Sequence, residues 1–127
     1  MSRSVAREIV FKLVFEYVFN KEENMALLQE YLEENSTEQS YIQEVYHGVI
    51  SHYDELCGIV KEKSVGFAFD RIFKVDLAIL LVALYEIKYI KSIPQKVSIN
   101  EALNIAKLYS TEKSNKFING ILASVVQ

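Results

Sequence analysis

The sequence predicts an all-α fold: a helical bundle of six to seven helices in one domain spanning residues 1–127. Three observations carry that prediction. Apolar residues return every three or four positions along nearly the whole chain, the period of an amphipathic helix. Four glycines and one proline are too few for a turn-rich β fold or a disordered chain. Half of the residues are hydrophobic, and a chain of this length can bury a real core with them.

The first helix is predicted over Arg3–Phe19. Ala6, Val10, Leu13, Val14 and Tyr17 form its inward face, and Ser4, Glu8, Lys12 and Glu16 form a narrow polar wedge with charges suited to i,i+4 pairing. A further row at i+4 spacing is Arg3, Arg7, Phe11, Phe15 and Phe19, basic at its start and aromatic beyond. It is either the fourth side of a helix buried at the centre of a bundle or a binding stripe. In the second case the arginines meet phosphate and the outer phenylalanines meet a protein.

Asn24 reads as the N-cap of a short helix over Met25–Glu34. Ser36 and Gln39 offer a capping box for a long third helix, whose period runs through Ile42, Val45, Tyr46, Val49, Tyr53 and Leu56. Gly48 in its middle predicts a close helix contact. The pattern loosens over Cys57–Phe69, which places a boundary between an N-terminal half (about 1–62) and a C-terminal half (about 63–127), each of about three helices. Neither is large enough to stand securely alone, so they are expected to pack as one unit. A strongly apolar helix follows from Val75 to about Ile90.

Pro94 then ends that helix by fixing φ and removing a donor. Ser98 and Glu101 have capping-box spacing, and Ile99, Ala102, Leu103, Ala106 and Tyr109 mark a buried face behind them. The polar run Ser110–Asn115 ends this helix. A last helix carries Phe117, Ile118, Ile121, Leu122 and Val125, and Gly120 within it predicts another close approach. Asn100 and Asn119 are expected to be buried and to pin these two helices by hydrogen bonds.

Signs of catalysis are sparse. His47, His52, Asp54 and Cys57 lie near one another in sequence, but their spacing matches no zinc pattern. Exposed histidines beside a buried structural cysteine explain them better. No phosphate loop, nucleophile elbow or paired-cysteine motif occurs, so a non-enzyme without cofactor or metal is expected. Glu8, Lys12 and Glu16 break the early apolar run in a way a signal peptide does not. The longest apolar run, Leu77–Tyr85, is far short of a membrane span. A soluble, cytoplasmic protein is expected.

With a net charge of −3, any nucleic-acid binding has to come from a local patch. One candidate is Lys113 and Lys116 at the start of the last helix, where exposed backbone N–H groups favour an anion. Phe117 beside them is either a core residue or a stacking platform for an unpaired base.

Taken as they stand, IPQKVSINEALNIAKLY, then KFINGIL, with LAILLVALYE upstream, resemble the NusB family of bacterial transcription antitermination factors. The resemblance is strong over Asp76–Ala123 and mostly hydrophobic pattern before that. It implies an all-helical fold of two three-helix halves. It also implies binding of the boxA element of ribosomal RNA operons together with NusE, a small-subunit ribosomal protein, with other Nus factors and RNA polymerase engaged indirectly. By the same resemblance Arg3, Arg7, Lys113, Lys116 and Phe117 fall on the RNA surface, and Phe15 and Asp76 on the NusE surface. Many members carry a denser arginine cluster before the first helix, so fewer phosphate contacts and greater dependence on NusE are expected here. Two other readings stand beside it. One is an accessory domain like those preceding ribosomal RNA cytosine methyltransferases; the other is a structural adaptor or homodimer using the phenylalanine row.

Overall fold

Every residue from Asp76 to Ile87 is buried, and a helix buried on all sides must lie at the centre of its bundle. This helix is α5 (Lys74–Tyr89). Around it pack α1 (Arg3–Asn20), α3 (Gln39–Ser51), α4 (Tyr53–Lys63), α6 (Gln95–Tyr109) and α7 (Glu112–Val125), while α2 (Met25–Glu34) lies against α1. The computed structural model describes residues 2–126, Ser36 in its backbone only. Seven α-helices and two short 3-10 turns, Ser36–Glu38 and Phe69–Arg71, account for the regular structure, with no strand among the described residues. The all-α expectation is met. Among the described residues no helix is long and apolar enough to cross a membrane.

Side-chain caps set three of the seven helix starts among the described residues. Ser2 caps α1 by accepting from the Val5 N–H at 3.2 Å, and Asn24 caps α2 by accepting from the Leu27 N–H at 3.0 Å. Each satisfies one of the donors that a helix start leaves free. Gly48 has the predicted close contact: a Cβ built there would fall 2.2 Å from Cζ of Tyr85.

Other expectations are corrected. The long third helix is interrupted at His52, giving α3 and α4, and α4 continues through the charged Lys61-Glu62-Lys63 to its end. Helix α6 starts at Gln95, directly after Pro94, so Ser98 lies in its second turn and caps nothing. Its hydroxyl instead donates to Glu86 Oε1 at 2.7 Å, and Glu101 turns to α1. The Ser36–Gln39 box also fails on the glutamine side. Gln39 Nε2 donates to the Leu32 carbonyl at 2.7 Å, while the Ser36 side chain lies outside the described residues. Asn100 and Asn119 are exposed rather than buried. A Cβ at Gly120 would meet nothing within 4 Å, so no helix approaches it.

Candidate nucleic-acid interface

The last helix begins earlier than the polar run suggested. Thr111 is its N-cap, accepting from the Ser114 N–H at 3.1 Å, so Lys113 stands in the first turn and Phe117 in the second. Asn115 Nδ2 donates to the Leu103 carbonyl at 3.2 Å and fixes this start against α6. Lys113 and Phe117, four apart, share one face of the helix. Together they line a groove of about 180 Å³ whose other wall is Phe67, Arg71, Ile72 and Phe73, with Asp76 and Ser114 in its lining. Phe67 and Phe117 lie 4.9 Å apart between ring centroids, tilted by 59°. Phe67 is 57% and Phe73 61% exposed, whereas Phe117 is half-buried.

Asp76 is buried and accepts from Ser110 Oγ at 2.6 Å. The structure thus gathers Asp76, Lys113 and Phe117 into one groove, although the sequence divided them between two surfaces. Lys116 faces an adjoining depression of about 430 Å³ with Lys107, Ser110, Thr111, Glu112 and Asn115. Both hollows border the start of α7, where free N–H groups with Lys113 and Lys116, and Lys107 of α6, favour an anion against the one carboxylate of that turn, Glu112.

The phenylalanine row of α1 runs from core to surface. Phe11 is buried against Tyr109, with ring centroids 5.1 Å apart. Phe15 is half-buried and meets Phe19 edge-on at 5.0 Å. Phe19 is exposed, with the Lys74 ammonium 5.4 Å from its ring centre. The buried side of a central helix therefore accounts for Phe11, and not for Phe19. Lys74 opens α5 two residues before Asp76, which relates the outer phenylalanines to the floor of the groove.

The two arginines differ sharply. Arg3 lies at the surface, its Nε bound to Glu38 at 2.7 Å and its guanidinium 4.4 Å from the Tyr41 ring centre. Arg7 is only 4% exposed. Its Nε and Nη2 donate to the two oxygens of Glu86 at 2.7 and 3.1 Å, and its Nη1 donates to Glu101 at 3.2 Å. Glu86, wholly buried, also accepts from the Tyr41 hydroxyl and from Ser98. Burial opposes the Arg7 charge, but the Glu86 hydrogen bond and surrounding negative charge more than offset it and raise its pKa. The expectation that Arg7 meets phosphate is corrected. An internal carboxylate had to be neutralised, and Arg7, buried with all three nitrogens bound to carboxylates, is not presented to RNA.

Phe67, Arg71 and Phe73 do not stand out in the sequence. The available signal is FAFDRIF, three aromatics in a segment without helical period, where burial does not account for them. The histidines and Cys57 form no cluster: His47 faces Glu23, His52 stacks on Tyr89 at 4.3 Å, and Cys57 is buried. Among the described residues no three His, Cys, Asp or Glu side chains are grouped to hold a metal.

Comparison with known proteins bears on all of this. The NusB family model matches residues 4–127. The transcription antitermination protein NusB of Agathobacter rectalis is 44% identical over 128 aligned residues, covering 97% of this chain and 98% of that one. The NusB structure from T. maritima has a TM-score of 0.89 at 31% identity, covering 98% of this chain and 90% of its own. The same fold, at a TM-score of 0.83 and 23% identity over 98% of this chain and 97% of the other, occurs in a crystal structure of antitermination factors NusB and NusE in complex with dsRNA. By sequence match over almost its whole length and by fold, the chain belongs to the NusB family.

Proposed function

We propose that this chain is a non-catalytic transcription antitermination factor that acts in the cytoplasm and binds boxA RNA of ribosomal RNA operons jointly with NusE. The observation that carries the reading is the α7 groove, where Lys113, Arg71 and three phenylalanines meet at a helix start. Cations there hold the backbone, while an aromatic face accepts an unstacked base without demanding its identity. Lys116 extends the basic surface beside the groove, and Arg3 offers a separate cation at the N-terminal end of α1, where Tyr41 and Arg7 meet Glu86. Phe15, with exposed Phe19 beside it, forms the NusE face, while Asp76, buried and bound to Ser110 in the groove lining, supports that surface from within rather than by direct exposure. The assembly of a NusB with NusE and RNA, on the same fold, supports a joint site.

The test is a titration of labelled boxA RNA with and without NusE. Weak binding alone and tight, boxA-selective binding with NusE is the expected result. Equal affinity for scrambled RNA with NusE present would leave only a general polyanion site.

A further inference from the structure

Arg3 and Arg7 stand one turn apart on α1, yet their guanidinium groups are held in different ways. Arg7 places all three of its nitrogens on carboxylates, two on buried Glu86 and one on part-buried Glu101. Arg3 is held at two points. Its Nε donates to Glu38 at 2.7 Å, and its Cζ lies over the Tyr41 ring, 4.4 Å from the ring centre. Among the described residues its Nη1 and Nη2 have no acceptor, and its side chain remains 46% exposed. Tyr41 cannot drift, because it is itself buried and its hydroxyl is bound to Glu86 in the core. A flexible surface arginine is thereby given a fixed orientation with its two-nitrogen edge open to solvent. That edge matches two oxygens of a phosphate.

We propose that Glu38 and Tyr41 are positioning residues for RNA binding, holding Arg3 with its open edge presented to a phosphate. The inference rests on the reading that Arg3 contacts RNA. It assigns an anion-repelling carboxylate a favourable role, which makes its sign testable. By charge alone, removing Glu38 from a chain of net charge −3 tightens RNA binding. If Glu38 orients Arg3, its removal weakens binding, because the guanidinium must then be immobilised at the moment of association.

The experiment measures boxA affinity with NusE present for Glu38→Ala, Glu38→Gln, Arg3→Ala and the Arg3→Ala/Glu38→Ala double variant, each confirmed folded by its melting curve. Expected is a loss of about three- to ten-fold for Glu38→Ala, the range that immobilising one long side chain covers. Glu38→Gln, which keeps an acceptor for Nε, stays near wild type. In the Arg3→Ala background Glu38→Ala has no further effect, which a merely structural role would not produce. Tighter binding by Glu38→Ala, or an equal loss in both backgrounds, overturns the positioning role while Arg3 keeps its RNA contact. Unchanged affinity and salt slope for Arg3→Ala overturns the contact itself, and the inference with it.

Discussion

Arg7 and Glu86, 79 residues apart in sequence, form a two-pronged ion pair inside the bundle, with Nε to Oε2 at 2.7 Å and Nη2 to Oε1 at 3.1 Å. Through the other bonds of these two residues the pair joins α1, α3, α5 and α6. Removing one member leaves the other charged and buried, which typically costs about 3–5 kcal/mol. Arg7→Ala is therefore expected to lower the urea midpoint by that equivalent. Its folded fraction should bind RNA with the wild-type salt slope. Wild-type stability with a slope reduced by about 0.7, one phosphate on a single strand, would place Arg7 on the surface instead.

Two glycines are expected to respond to alanine with opposite signs. At Gly48 the new methyl would meet the Tyr85 ring at 2.2 Å, and Tyr85 is itself stacked on Tyr89. Overpacking of this kind costs about 1–3 kcal/mol, more than the helix-propensity gain. At Gly120 nothing lies within 4 Å, so Gly120→Ala should gain up to about 1 kcal/mol. Thermal melts of the two variants check the pair, and a shift in the same direction for both would contradict the packing described.

A pH dependence follows from Glu55. Its hydrogen bond from Lys88, then that from the Tyr89 hydroxyl, lowers its pKa from 4.5 to about 2. A depressed carboxylate adds stability that is fully present above the unfolded value and is lost as pH falls through the folded one. Wild type should therefore melt above Glu55→Gln at neutral pH, by a small margin because the group is solvent-exposed. The gap should close between pH 4.5 and about 2. A gap independent of pH would mean that the bonds to Lys88 and Tyr89 carry nothing.

Phe15 is half-buried and meets the exposed Phe19 edge-on. Phe15→Asp is expected to abolish association with NusE in a pull-down while the monomer keeps its helical circular dichroism. Unfolding of the variant would assign Phe15 to the core.

What the sequence made legible was the local part of this structure. The apolar run of α5, the Asn24 cap and the Gly48 contact each declare themselves within a few residues. What it hid depends on distant partners. Ser98 and Glu101 have the spacing of a cap, but Glu86 and Arg7 claim their side chains. Arg7 shares a row with Arg3, and only a carboxylate 79 residues away shows that it points inward. The site was half visible. Lys113, Lys116 and Phe117 stood out as cations and an aromatic at the start of the last helix, whereas Phe67, Arg71 and Phe73 reach the groove from a loop without period.

Measuring the boxA affinity of Phe117→Leu with NusE present decides whether the α7 groove presents an aromatic face to RNA. Leucine keeps most of the apolar volume that packs on the core and removes the stacking face. Expected are a melting temperature within a few degrees of wild type and about ten-fold weaker boxA binding, the worth of a single base stacked on an aromatic ring. Wild-type affinity in a folded Phe117→Leu variant would contradict it and take Phe117 out of the RNA site.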